Sequence, residues 1–149
     1  MKEPIKVNAK VSAGGQPNEE DLAALKASGV RKIVNLRRAG EQNQPLDPKA
    51  EGEVAARAGL EYVHIPVDPK NLDPSSAEAV AKAIDSSDGP VYVHCAAGGR
   101  AVTHSLLAEA KAHGSSADEV FKKAEEIGAP VTDEGFKAYV RKVAGGGRK

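Results

Sequence analysis

Hydrophobic positions along this chain switch between two periods. Short runs rich in β-branched residues read as strands: "RKIVNL" at 31–36, "EYVHIPV" at 61–67 and "PVYVH" at 90–94. "IKVNAKV" at 5–11 reads as an opening strand. Between them lie longer runs with helical grammar. In "PNEEDLAALKASG" (17–29), Asn18 is suited to the N-cap, acids fill the first turn, and Gly29 ends the helix. "DPKAEGEVAARAG" (47–59) repeats that grammar, with Pro48 placed for the first helical position. "DPSSAEAVAKAIDSSDG" (73–89) predicts a third helix and its exit. Further helical runs follow at about 100–113, 116–127 and 132–143. "RRAGEQNQP" (37–45) is a polar loop, and 144–149, "AGGGRK", is expected to be a flexible tail. No internal repeat is visible.

Strands separated by helices imply right-handed crossovers. The expected fold is therefore α/β: a central, mostly parallel sheet of four to five strands flanked by helices, with 1–149 as a single domain. A chain of 149 residues is long enough for one substantial core. Aromatics are only 3% and Trp is absent, so that core must be built from Val, Ile, Leu and Ala. The balance of 21 basic against 21 acidic residues gives no global attraction to nucleic acid or anionic membrane. No apolar run approaches the roughly 20 residues of a membrane span, so no membrane insertion is expected. "MKEPIKVNAK" lacks the apolar centre of a signal peptide, and a cytoplasmic location is the expectation.

The one cysteine, Cys95, stands in "VYVHCAAGGRAVTH" (91–104). A single Cys excludes an intrachain disulfide, a Cys-based zinc cluster and any mechanism with a resolving thiol. The expected topology puts Cys95 where a strand ends and a helix begins. Ligands bind beyond the carboxyl ends of strands in such sheets. A helix N-terminus offers unpaired N–H groups and partial positive charge, which favour an anion and a thiolate. The amides of Ala96, Ala97, Gly98, Gly99 and Arg100 can all turn inward around a tetrahedral oxyanion, and the glycines permit the positive φ of an anion nest. Arg100 adds a planar fork of donors. This pattern fits attack of Cys95 on phosphorus, giving a phosphocysteine that water hydrolyses. Asp68, in "HIPVDPKNLDP", follows a strand on the same sheet edge and is the candidate acid for the leaving oxygen. Asp73 is the second candidate, although Asp-Pro-Ser-Ser before a helix has the form of a cap.

Other polar residues have plainer readings. His64 is expected to be structural. Arg37 and Arg38 read as a solvated loop pair able to recruit an anion, with Glu41 pairing one of them. Four scattered His and one Cys make a poor metal set, so neither a metal site nor a cofactor is expected.

"VHCAAGGR" resembles the signature of the cysteine-dependent protein tyrosine and dual-specificity phosphatases. More narrowly, "SAGGQPNEEDLAALKASGVRKIVNLR", "GLEYVHIPVD" and "PVYVHCAAGGR" resemble the small bacterial phosphatase-like proteins grouped with beta-lactamase-hydrolase-like proteins, over about residues 12–110. The resemblance implies a dual-specificity-phosphatase-like fold. It implies Cys95 as nucleophile, Arg100 as phosphate clamp, Asp68 as general acid, and His94 as a residue that tunes the thiol. It implies a phosphorylated protein or small phosphate ester as substrate, and phosphate- or sulfate-like anions as ligands of the loop.

Two features depart from the usual phosphatase pattern. Only Ala96, Ala97, Gly98 and Gly99 separate Cys95 from Arg100, one residue fewer than usual and the length that rhodanese-type sulfurtransferases use. The hydroxyl that commonly follows the arginine is replaced by Ala101, leaving Thr103 or His104 to substitute. A sulfurtransferase carrying a Cys95 persulfide, and a module that binds a phosphorylated partner without turnover, are therefore the alternative readings.

Overall fold

In the computed structural model, residues 2–146 are described. The chain runs β1 (Ile5–Lys6), β2 (Val11–Gly14), α1 (Glu19–Ala27), β3 (Lys32–Asn35), α2 (Pro48–Arg57), β4 (Glu61–His64), α3 (Pro74–Asp85), β5 (Val91–His94), α4 (Gly99–His113), α5 (Ala117–Glu126) and α6 (Glu134–Gly146). The five strands form one sheet in the order β1-β2-β5-β3-β4, antiparallel only between β1 and β2. This is the expected mostly parallel sheet.

The expected opening strand over 5–11 is corrected: it is a hairpin. The side chain of Asn8 accepts the amides of Lys10 and Val11 at 2.9 and 2.8 Å, closing a turn where alternation had suggested a continuous strand. The strand predicted over 61–67 ends early as regular ladder because Pro66 has no amide to donate. The segment still follows β3, with Ile65 and Val67 donating to the carbonyls of Asn35 and Leu36. The last helix begins later and ends later than its pattern, running through Gly146; 147–149 of the expected tail lie outside the described residues.

Caps explain the helix starts. Asn18 and Asp21 form a capping box on α1, Asp47 caps α2 ahead of Pro48, and Asp73 caps α3 ahead of Pro74. The period of two along β5 sorts its side chains between two cores. Val91, Val93 and Cys95 pack with residues of α3, α4, α5 and α6. Tyr92 joins Leu22 and Leu25 of α1 and Val54 and Ala55 of α2 on the opposite face. Helices thus cover both faces, and β5 lies at the centre of the sheet. Its partners at the carboxyl end are Gly14 and Asn35, both in register with His94. The residues that follow these three strands converge on one edge, and Cys95 sits in the middle of it.

Candidate active site

Cys95 is 2% exposed, and its Sγ accepts the N–H of Gly98 at 3.1 Å. Gly98 is the N-cap of α4, with φ 119°, a left-handed conformation that disfavours any Cβ. The bend at Gly98 carries the loop over the sulfur and straight into the helix. The first-turn amides of Gly99, Arg100 and Ala101 have no carbonyl ahead of them in the helix and lie at its positive end. A second loop supports this one from below. Cys95 donates its amide to the Gly14 carbonyl at 3.2 Å, and Gln16 donates its amide to the Ala96 carbonyl at 3.2 Å. A Cβ on Gly15 would lie 3.0 Å from that Ala96 oxygen, a tight contact that the backbone of the loop would have to relieve.

Arg100 is anchored by one edge. Its Nη1 and Nη2 donate to the two carboxylate oxygens of Glu41 at 2.8 and 2.9 Å, and Nη1 also donates to the Val67 carbonyl at 2.9 Å. The guanidinium also makes a side-chain hydrogen bond to Cys95, so its planar fork of donors is held beside the sulfur. Arg100 is raised above its ordinary pKa, first by the Glu41 hydrogen bonds and then, against the effect of burial, by the negative charge of Cys95. Glu41 is pushed down to about 2 by the Arg100 hydrogen bond, with the Arg38 amide and Arg37 assisting and burial opposing.

The Val67 carbonyl held by Arg100 immediately precedes Asp68. The Asp68 side chain is 35% exposed; Oδ1 accepts the Lys70 amide at 2.9 Å and lies 3.8 Å from Nη2 of Arg38. Asp73 caps α3 through Ser75, which lowers its pKa, so its carboxylate has the role its sequence context predicts.

Several plain readings are corrected. Arg37 is not a solvated loop residue; it is 2% exposed. Its Nε meets Glu41 at 2.9 Å, its Nη1 meets the Gln16 side chain at 2.9 Å, and Nη2 meets the Gln42 carbonyl. Only Arg38 reaches solvent. Glu41 does more than pair one of these two: it also takes the Arg100 fork. His94 is fully buried, with Nε2 2.6 Å from Glu51 and Nδ1 3.2 Å from the Cys95 carbonyl. The other Glu51 oxygen accepts from Gln16 at 2.8 Å. A continuous polar chain therefore runs Cys95–His94–Glu51–Gln16–Arg37–Glu41–Arg100 and closes around the loop. Sequence reasoning missed Gln16 and Glu51. Glu51 carried a signal: it shares a helical face with Val54 and Ala55, so a carboxylate sits on an apolar stripe. Gln16 carried none.

His64 is structural, as its sequence context suggests, with Nε2 against the Arg37 carbonyl. Ala101 is fully buried. His104 does not replace the missing hydroxyl: its Nδ1 meets the Arg100 carbonyl and its Nε2 meets the Tyr139 hydroxyl, both at 2.9 Å, which turns it towards α6. Thr103 is left, beside Gly98 and Gly99 on the wall of an adjoining groove. Among the described residues no cluster of three or more His, Cys, Asp or Glu can hold a metal ion, and no helix is long and apolar enough to cross a membrane.

This fold is that of the cysteine-dependent protein tyrosine phosphatase-like phosphatases. The crystal structure of "Putative phosphatase (DUF442)" from Shewanella putrefaciens CN-32 superposes with a TM-score of 0.82 at 25% identity, covering 98% of this chain and 93% of that one. Two more distant structures, each 16% identical, share the fold. P. aeruginosa TpbA in complex with phosphotyrosine has a TM-score of 0.72 (95% of this chain, 85% of that one), and PTPMT1 in complex with PI(5)P has 0.79 (95% and 94%). Within this class, the sequence profile of the beta-lactamase hydrolase-like protein, phosphatase-like domain, matches residues 5–112, and the chain belongs to that family. A beta-lactamase hydrolase-like protein of Xylella fastidiosa is 37% identical over 106 residues, 70% of this chain. The match spans only 24% of that relative.

Proposed function

We propose that this chain is a phosphatase for phosphate monoesters, aryl phosphates and phosphotyrosine foremost, acting as a single domain through a phosphocysteine on Cys95. The observation that supports it most is the meeting, at one loop, of the Cys95 sulfur, the first-turn amides of α4 and the Arg100 guanidinium. In this reading the Cys95 thiolate attacks phosphorus. An S–P bond forms, the ester P–O bond breaks, and the leaving oxygen takes a proton from Asp68. The amides of Ala96, Ala97, Gly99 and Arg100, with the Arg100 side chain, hold the charge on the phosphoryl oxygens. Water then attacks the phosphocysteine and returns a proton to Asp68, releasing inorganic phosphate and the thiolate. His94 and Thr103 support the loop and its water. The scheme needs no metal or organic cofactor. The phosphotyrosine complex of the distant TpbA supports an aryl ester as substrate, and the PI(5)P complex of PTPMT1 puts a phosphoinositide in the assay panel.

The test is hydrolysis of p-nitrophenyl phosphate with chelator present, from acid to mildly basic pH, for the intact protein, Cys95→Ser and Asp68→Asn. We expect metal-independent turnover that Cys95→Ser abolishes, with the basic limb of the pH profile lost in Asp68→Asn. Failure of the intact protein to release nitrophenol overturns the proposal. A persulfide on Cys95 after thiosulfate treatment would then favour sulfur transfer, for which the short loop is the supporting feature.

A further inference from the structure

We propose that Glu51 is a positioning residue for the loop after β5: through His94 and Gln16, its two carboxylate oxygens keep the Cys95 and Ala96 carbonyls turned away from the anion, so that the loop presents its amides instead. This rests on the phosphatase reading above and adds to it the group that shapes the loop from behind.

A loop that encloses an oxyanion must point N–H groups inward, because each inward carbonyl sets partial negative charge against the ligand. The carbonyls that face outward then need donors of their own. Two of them find donors beneath the loop. The Cys95 carbonyl lies 3.2 Å from Nδ1 of His94, and the Ala96 carbonyl accepts the Gln16 amide at 3.2 Å. The Gly98 amide, by contrast, turns to the Cys95 sulfur at 3.1 Å. Glu51 holds both donor residues. Its Oε2 lies 2.6 Å from Nε2 of His94, and its Oε1 accepts from the Gln16 side chain at 2.8 Å.

The partners fix where the protons lie. A carbonyl can only accept, so Nδ1 of His94 carries a proton towards Cys95. A second proton is shared between Nε2 and the carboxylate, which fixes the orientation of the ring. Tyr92 stacks on that ring, with centroids 6.0 Å apart and planes at 21°. Its hydroxyl donates to the Gly15 carbonyl at 2.6 Å, next to Gln16. Glu51 and His94 are both 0% exposed. A buried carboxylate is costly on the apolar face of α2, where packing alone would be served by an apolar residue. Both bonds that offset the cost lead to the loop. Glu51 thus does for the loop backbone what Glu41 does for the Arg100 side chain, and Gln16, whose Oε1 accepts from Arg37 at 2.9 Å, joins the two arrangements.

The experiment is equilibrium binding of inorganic phosphate to the intact chain, Glu51→Gln, Glu51→Leu and Gln16→Met, with p-nitrophenyl phosphate kinetics beside it. Thermal midpoints check that each variant is folded. Glu51→Gln can keep both bonds: its oxygen accepts from Gln16, and its amide donates to Nε2 of a neutral His94 whose Nδ1 still serves Cys95. Glu51→Leu puts an apolar side chain in place of the carboxylate and loses both. Gln16 is half-buried, so Gln16→Met carries the test if Glu51→Leu does not fold; Arg37 then still has Glu41, Gln42 and Asn43. We expect phosphate affinity and kcat/KM to fall about tenfold or more in Glu51→Leu and about three- to fivefold in Gln16→Met, and to be restored to within about twofold of the parent in Glu51→Gln. An affinity within about twofold of the parent in folded Glu51→Leu, or in Gln16→Met where that variant does not fold, overturns the positioning role. So does an equal loss in Glu51→Gln and Glu51→Leu, which would assign the effect to charge. If the intact chain binds phosphate without turnover, the phosphatase reading fails while the affinity series still decides the role of Glu51. If it binds none, both fall.

Discussion

Two guanidiniums, Arg37 and Arg100, converge on one carboxylate, Glu41. That pairing draws two guanidiniums to the loop's flank, although the chain as a whole is neutral. Burying Arg37 without partners would be very costly, and its bonds to Glu41, Gln16, Asn43 and Gln42 offset that cost. Glu41 acts as a positioning residue, because its two oxygens take Nη1 and Nη2 and so fix the orientation of the Arg100 guanidinium. Glu41→Gln keeps the shape and removes the charge that aligns both arginines. We expect kcat/KM for p-nitrophenyl phosphate to fall about 10- to 100-fold. A second readout follows from linkage. The Glu41 pKa is about 2 in the folded protein against 4.5 ordinarily, so the unfolded chain binds the extra proton between those values. Its stabilising contribution is full above pH 4.5 and is lost as pH falls towards 2. Denaturant titrations in that window should show a shallower acid loss for Glu41→Gln than for the parent.

At the scale of elements, α4 links the site to the rest of the fold. Its first turn lines the Cys95–Arg100 loop, and its body is buried along most of its length. One turn on, His104 ties the Arg100 carbonyl to Tyr139 of α6, whose hydroxyl donates to the Asp73 carbonyl at the start of α3. Three helices thus meet at one imidazole directly behind the arginine. Burial pushes His104 down to about 4 from 6.5; the hydrogen bond to Arg100 opposes the shift and the Arg100 charge adds to it. Between those values the unfolded chain binds a proton that the folded protein refuses. Stability should therefore fall as pH drops from 6.5 to 4, by on the order of 3 kcal/mol. Replacing this residue, as in His104→Asn, should lower stability at neutral pH and flatten that part of the profile. Chemical denaturation at pH 7 and pH 4.5 separates this window from that of Glu41.

For the whole molecule, three of the five strands deliver their carboxyl ends to the loop: β2 through Gly14, β5 through Cys95, and β3 through Leu36, whose amide donates to the His94 carbonyl. A ligand that braces this edge touches elements from residue 14 to residue 100, so its binding should register in global unfolding. An oxyanion held only by the folded loop stabilises it by mass action, about 2.7 kcal/mol at a ligand concentration 100 times its Kd. We expect inorganic phosphate to raise the Tm in proportion to the logarithm of its concentration, and Arg100→Ala to abolish most of the rise. A midpoint indifferent to phosphate in the parent protein would count against the loop as an anion site.

Much of this architecture was legible before folding, because it rests on local rules. Caps at Asn18, Asp47 and Asp73, prolines at the first helical position, and the two hydrophobic periods locate the helices and most strands from neighbouring residues alone. The proposed Cys95–Arg100 site is legible in the same way, since the residues it would use are contiguous in the chain. Tertiary structure decided what depends on partners far apart in sequence. Arg37 looks like a loop cation until Gln16 and Glu41 surround it; Glu51 looks like a surface acid until His94 arrives 43 residues later. His104 looks free to serve the chemistry until Tyr139 claims it. Apart from the placement of Glu51 on an apolar helical stripe, these charged side chains carry no local sign of whether they will be solvated or paired. Burial and pairing are set by which faces the sheet order brings together, and only the assembled fold determines that.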